Sequence, residues 1–267
     1  MTYAAPAMFS GVWASACRFL AGTLAIAELE ARKLRHDPAE VVTRAVQPLL
    51  WLAIFGQVFG RLRGLPTGGV SYLEYLTPGI LSQSVVFISI FFGISVLWER
   101  DAGIFQKLLV APVPRAAFVL GKGLSASLRA LIQGVIIMVI AALLGVRFRW
   151  GAAPLLGALL TVTAGACVFS SLSMLLACWM RTRERFMGIG QVITMPLFFA
   201  SNALYPVELM PPWLRVIAFG NPMSYIVEAL RAFLLGLPGS VARDLGLLAA
   251  FALVLILLSA RQLHRLV

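Results

Sequence analysis

The chain has 267 residues, 60% of them hydrophobic and 12% charged, with a formal net charge of +11 at pH 7 and a mean hydropathy of +0.92. A soluble domain carries about 45–50% apolar and about 25% charged residues, so this excess is too large for an ordinary soluble core. Disorder requires low hydrophobicity, and three cysteines are too few for a disulfide scaffold. A polytopic membrane protein, or a soluble one with several unusually apolar buried helices, remains.

In chain order, the first basic residue, Arg18, follows the first apolar stretch instead of preceding it. The order of a secretory signal is absent, and insertion is expected to rely on the first span. Residues 1–40 read as a cytoplasmic interfacial segment. Leu20, Leu24, Ala27, Ala31 and Leu34 recur at steps of three and four, with Glu28, Glu30, Arg32, Lys33 and Arg35 elsewhere around the helix. That is the pattern of an amphipathic helix lying in the interface, either a plain anchor or a docking element. His36-Asp37-Pro38 breaks it.

Residues 41–267 read as one transmembrane domain. A bilayer core of about 30 Å needs about 20 apolar helical residues. Charge-poor runs of that kind lie at 41–60, 77–98, 124–145, 152–180, 186–204 and 245–260, and Arg44 and Arg129 are the charges that intrude. Six crossings put both termini on one side. With the termini cytoplasmic, 14 of the 22 Lys and Arg fall in inner segments and 7 in outer ones, Arg129 lying within a span. Basic residues are retained in cytoplasmic loops, so the termini are expected inside. The same scatter of short basic clusters speaks against nucleic acid as a partner, which would gather the charge in one stripe. Tyr72, Tyr75, Trp98, Trp150, Trp179, Tyr205 and Trp213 fall at or just beyond span ends, as amphipathic rings prefer, whereas Trp51 stands in mid-span.

Between the second and third spans, Glu99, Arg100 and Asp101 are expected to open a short helix over 99–111. Ile104, Phe105, Leu108 and Leu109 would form one apolar edge of it beside Lys107, and Pro112 and Pro114 end it. Such a helix either packs on its own membrane domain or presents itself to a partner. After the fifth span, residues 202–244 are too apolar for a solvated loop, and Pro206, Pro211, Pro212 and Pro222 prevent one continuous helix. The helical pattern at 223–236 spans only about 21 Å. A re-entrant region over 202–236 is expected, dipping into the outer leaflet where protein satisfies its broken backbone. Glu228 and Arg231, at i and i+3, could pair there, as a local pair that helps the half-helix sit at membrane depth or as a substrate contact.

The run Glu99-Arg100, Gly103, Leu108-Leu109, Ala111-Pro112-Val113, Arg115, Leu120-Gly121-Lys122 resembles the cytoplasmic coupling segment of ABC-2 type transporter permeases. The late run Tyr205-Pro206, Leu209, Pro212, Asn221-Pro222, Tyr225, Leu230-Arg231 resembles the second hallmark of that family. Both occur in the right order on the expected sides, and the resemblance covers nearly the whole chain, closest to drug-resistance and nodulation-factor or polysaccharide export permeases. It implies an all-α polytopic membrane protein of six transmembrane helices, with an N-terminal interfacial amphipathic helix and external re-entrant half-helices before the last span. It also implies the plasma membrane of a bacterium as the location. The implied function is ATP-driven export of a hydrophobic or amphipathic compound, a drug, lipid or lipid-linked glycan.

A P-loop reads Gly-x-x-x-x-Gly-Lys-Ser/Thr. The one Gly-Lys here is Gly121-Lys122, followed by Gly123 and with Ala116 in place of the first glycine. The chain is therefore expected to be a transport subunit and not an enzyme, with ATP and Mg used by a separate ATP-binding subunit in two copies. A second permease copy, by default identical, completes the assembly that the resemblance implies. Glu99, Arg100, Asp101, Phe105, Lys107 and Leu108 would then form the ATPase-coupling interface. Gln57, Gln83, Gln191 and Thr194 would be candidates for the translocation path, against the simpler reading of interhelical hydrogen bonds. Arg129 is expected to snorkel to the inner interface.

Catalytic and metal readings fail on inventory. His36 and His264 are interfacial and unaccompanied, and Cys167 and Cys178 are about 16 Å apart along one helix, too far to bridge. Two rivals of other classes remain: a secondary transporter, which needs inverted repeats and ionisable residues near midplane, and a membrane-embedded lipid-modifying enzyme, which needs acidic or histidine residues converging at one interface. No convincing repeat is evident, and the acids are scattered.

Overall fold

In hydrocarbon every backbone polar group must be satisfied within its own segment, so the long apolar runs have the α-helix as their available form. The computed structural model describes residues 12–34, 38–60, 67–103 and 114–263, and among these every regular element is helical. In order they are α1 (Val12–Leu34), α2 (Pro38–Phe59), α3 (Tyr72–Phe91), α4 (Gly93–Asp101), α5 (Arg115–Leu143) and α6 (Ala152–Trp179). There follow α7 (Arg183–Phe199), a 3₁₀ turn (Val207–Leu209), α8 (Pro212–Gly220), α9 (Pro222–Leu235) and α10 (Val241–Gln262).

Among the described residues four stretches are long and apolar enough to cross a membrane: Tyr72–Asp101 (α3 with α4), α5, α6 and α10. The expected runs at 41–60 and 186–204 become helices too, α2 with 22 residues and α7 with 17. In the best apolar window of α10 the hydropathy is 2.3, yet only 11% of its residues are buried. A helix so apolar and so exposed belongs against lipid or another chain, not water.

The α3–α4 rod starts earlier than the hydropathy suggested, at Tyr72 instead of 77, because Ser71 and Glu74 form a reciprocal cap. The Ser71 hydroxyl accepts from the Glu74 amide at 3.2 Å, and the Ser71 amide donates to the Glu74 carboxylate at 2.8 Å. The rod is interrupted at Phe92. There Ser173 of α6 donates to the carbonyl of Ile90 and accepts from the amide of Gly93, so a neighbouring side chain replaces one rung of the helical ladder. Gly93 is required at this crossing: a Cβ would lie 2.3 Å from the Ser173 hydroxyl oxygen and 2.6 Å from the Phe186 ring.

The core lies between α3, α5, α6 and α9, around Leu76, Ile80, Val85, Ile137, Val162, Phe169, Ile226 and Leu230. Trp51 belongs to it: its ring stacks on Phe55 at 4.6 Å and meets Phe198 edge-on at 5.5 Å, which explains a tryptophan in mid-span. Tyr72 and Tyr75 differ from expectation. Both are buried, the Tyr72 hydroxyl donating to the Leu204 carbonyl at 3.1 Å. Trp98, Trp150, Trp179 and Trp213 remain exposed.

The N-terminal helix both docks and faces outward. Thr23 and Ile26 of α1 are buried, and the Thr23 hydroxyl bridges to the Ala117 carbonyl of α5 at 3.4 Å. Leu20 and Leu24, on the face the periodicity singled out, are 58% and 62% exposed.

Candidate functional site

One end of the bundle is basic, and α4 delivers its charges there. Glu99, Arg100 and Asp101 close α4 instead of opening a new helix; the helix stops at Ala102, and Gly103 turns the chain with φ +68°. Phe105, Lys107 and Leu108 lie outside the described residues. The three charges have different fates. Glu99 is not a surface contact: it is 6% exposed, and both its oxygens accept from the buried ammonium of Lys122 on α5, at 2.8 and 2.7 Å. The rings of Phe92 and Phe118 lie 5.7 and 5.8 Å from the same ammonium, so the pair is sealed by aromatic faces. It cross-braces α4 to α5 beside the docking site of α1.

Arg100 and Asp101 instead reach the α6–α7 connection. Arg100 donates to the carbonyls of Met180 at 3.0 Å and Arg181 at 2.8 Å, and to Asp101 at 3.0 Å. Asp101 also accepts from Arg183 at 3.0 Å, and the Arg183 guanidinium lies flat over Trp98 at 3.6 Å. This exposed network immediately precedes residues 104–113, so α4, its turn and the start of α7 form one charged surface.

A cavity of about 480 Å³ lies in the half of the bundle nearer the basic end. Thr43 and Gln47 of α2, Gln83 and Ser84 of α3 and Gln133 of α5 supply its polar lining, and Phe87, Phe91, Ile94 and Met187 much of its apolar wall. Of the four candidate path residues, Gln83 alone lines it. Thr194 is buried and donates to the carbonyl of Gly190 in its own helix at 2.6 Å, and Gln57 and Gln191 face outward. Sequence reasoning missed the contribution of Gln47 and favoured other polar span residues over Ser84 and Gln133; Gln83, Phe87 and Phe91 at steps of four were the available signal. Arg129 lies over the Phe92 ring at 4.9 Å and donates to Ser125 at 3.0 Å. It is half-buried and reaches one turn towards the basic end.

At the opposite end, the connection from α7 to α9 is clamped by Arg231. This buried guanidinium donates to the carbonyls of Tyr75 and Ala203 and rests on the Tyr75 ring at 3.5 Å. Gly79 permits the approach, since a Cβ there would lie 2.4 Å from the Ala203 carbonyl oxygen. The expected Glu228–Arg231 pair does not form: Glu228 accepts from Asn202 at 3.0 Å and from Arg243 of α10 at 2.8 Å. The buried carbonyls of Tyr75 in α3 and of Ala203 in the loop take the arginine, and the more exposed Arg243 takes the carboxylate. Asn221 caps α9 by accepting from the Met223 amide, while its carboxamide donates to the Leu197 carbonyl at 2.7 Å, tying α9 to the end of α7.

Gly121-Lys122 sits inside α5 with its lysine engaged by Glu99, which is no phosphate cradle. Cys17, Cys167 and Cys178 are free thiols. The family model for the ABC-2 type transporter matches residues 22–235. The chain is 28% identical to the daunorubicin resistance ABC transporter permease protein DrrB1 of Streptomyces coeruleorubidus, over 82% of this chain and 78% of the relative. It is 26% identical to nodulation protein J of Rhizobium leguminosarum bv. viciae, over 85% of this chain and 87% of the relative. It is 31% identical to a protein of Porphyra purpurea named as the transport permease ycf38, over 73% of this chain and 67% of the relative. The chain belongs to the ABC-2 type transporter family and is the membrane permease of an ABC exporter.

Proposed function

We propose that this permease crosses the membrane six times, with α2 and α7 crossing in addition to the four long apolar stretches. Both termini then lie in the cytoplasm of a bacterial cell, and α8 and α9 form a re-entrant pair on the outer side. The basic end is then cytoplasmic, in keeping with retention of Lys and Arg. Two copies of the chain work with two copies of a separate ATP-binding subunit, which uses ATP and Mg and grips the surface formed by Arg100, Asp101 and residues 104–111, Phe105, Lys107 and Leu108 included. The cargo is a hydrophobic or amphipathic compound: a drug, a lipid or a lipid-linked glycan.

The observation that carries this reading is the division of labour at the end of α4. Arg100 and Asp101 stand on the surface, while Glu99 one residue earlier is locked to Lys122. A push on the surface pair would reach α5 through the buried pair, and α4 could pivot against α3 at the interrupted rung around Phe92. The cavity spans that pivot, lined in part by Ile94 of α4 on one side of it and Phe91 of α3 on the other. Coupling requires two arrangements of these helices that the nucleotide state of the partner biases differently.

The test is co-purification with a soluble P-loop ATPase encoded beside this chain, followed by ATP hydrolysis in lipid with and without cargo. Replacing Arg100 and Asp101 together by alanine is expected to leave insertion of the permease intact and to abolish cargo-stimulated hydrolysis. Normal stimulation in that variant would overturn the coupling assignment.

A further inference from the structure

The cavity near the basic end has a chemistry that selects among cargoes, and the inference drawn from it rests on the reading of that cavity as part of the export path. Among the described residues every polar group in its lining is neutral: the carboxamides of Gln47, Gln83 and Gln133 and the hydroxyls of Thr43 and Ser84. A charged group entering would shed its hydration with no counter-charge among these residues to replace it, the costly case for transfer out of water. Two of the apolar residues in the wall, Phe87 and Phe91, are aromatic. Phe87 and Phe91 stand one helical turn apart on α3 with ring centroids at 4.8 Å and planes 35° from parallel, a surface suited to a flat ring.

Gln83 lies one turn before Phe87 on the same face. It is 3% exposed, and its carboxamide oxygen is buried without a hydrogen-bond partner. A buried polar group in that condition raises the free energy of the empty cavity. A hydroxyl brought in beside it can both donate to and accept from the carboxamide, whichever way the amide is turned. The volume of about 480 Å³ lies within the usual range of pockets for compounds of drug size.

We infer that this cavity is a binding site for uncharged, hydroxyl-bearing polycyclic aromatic compounds, with the rings against Phe87 and Phe91 and the hydroxyl on Gln83, and that it rejects permanent cations of the same shape. Gln83 is then the residue that sets specificity, and the phenylalanines supply affinity without regard to the polar group.

The test needs no ATPase, so its failure is distinct from a failure of the export reading. The full chain in lipid nanodiscs is titrated with three probes of one skeleton: 1-pyrenemethanol, 1-methylpyrene and (1-pyrenylmethyl)trimethylammonium. Binding is read by energy transfer from the protein's tryptophans, with empty nanodiscs subtracted to remove partition into lipid. The alcohol is expected to bind about tenfold tighter than the hydrocarbon, the worth of one net hydrogen bond, and at least tenfold tighter than the ammonium compound. In Gln83→Leu the preference for alcohol over hydrocarbon should fall to near unity with hydrocarbon binding retained. In Phe87→Ala all three should weaken together. Equal or tighter binding of the ammonium probe to the unaltered chain would overturn the inference without any variant being needed, and so would an alcohol preference that survives in Gln83→Leu.

Discussion

Replacing Lys122 by alanine removes the ammonium that both oxygens of Glu99 accept from, at 2.7 and 2.8 Å, in a site where the two side chains are 2% and 7% exposed. Breaking a buried pair by deleting one partner costs about 3–5 kcal/mol, because the remaining charge keeps its desolvation penalty and loses its compensation. For a domain of this size about 1 kcal/mol corresponds to roughly 2–4 °C in the melting temperature, so a fall on the order of 10 °C is expected. The double replacement Glu99→Leu with Lys122→Met removes both charges and should recover most of that loss, or more, since well-packed apolar substitutes for buried pairs range from neutral to about 1–4 kcal/mol more stable. The exposed pair Asp101–Arg183, with side chains 36% and 32% exposed, is the internal control: Asp101→Ala should shift stability by less than about 1 kcal/mol. The assay is thermal unfolding in lipid nanodiscs followed by intrinsic tryptophan fluorescence. A Lys122→Ala variant that melts within about 2 °C of the parent, or a double variant no better than the single one, would refute the claim that this pair braces α4 against α5.

Gly93→Ala places a methyl group against both the Ser173 hydroxyl and the Phe186 ring; overpacking of this kind costs about 1–3 kcal/mol, readable in the same melt, while Ser173→Ala alone should lose less. Arg231→Leu leaves the carbonyls of Tyr75 and Ala203 without their donor, and limited proteolysis within residues 200–210 should accelerate severalfold with little effect at the basic end. For the topology, a cysteine placed at the exposed Arg215 in a Cys17→Ser background should react with a membrane-impermeant maleimide from outside intact cells. The native Cys17 should react only after lysis, and the reverse pattern would invert the orientation.

The sequence made the long apolar elements legible because their signal is local. The expectation at 152–180 corresponds to α6 at Ala152–Trp179, and the short helix expected at 223–236 to α9 at Pro222–Leu235, ended by Gly236 in the left-handed region. The start of α3 was legible too, in the Ser71-x-x-Glu74 cap, but Tyr72, Glu74 and Tyr75 look like interfacial residues when only hydropathy is weighed. What a linear reading could not reach were pairings set by tertiary contact. Lys122 stands 23 residues from Glu99 and reads as one more cytoplasmic charge until α4 and α5 are side by side. Arg231 could have paired with its neighbour at i−3, yet carbonyls 156 and 28 residues away bind it, one in α3 and one in the loop, while the carboxylate has Arg243 within reach. The candidate path suffered similarly: four polar residues in spans are indistinguishable by composition, and only the packing decides that Gln83 turns towards the cavity while Gln57 and Gln191 turn away.

ATP-dependent transport in proteoliposomes tests the central claim most directly. The permease and its ATPase partner are reconstituted together, the nucleotide-binding side outward, and accumulation of a fluorescent hydroxylated aromatic cargo is followed. Accumulation is predicted only when both chains, ATP and Mg are present, and it should be lost in the Arg100/Asp101 double alanine variant. Accumulation by the permease alone, driven by an ion gradient without ATP, would contradict the account and make the protein a secondary transporter.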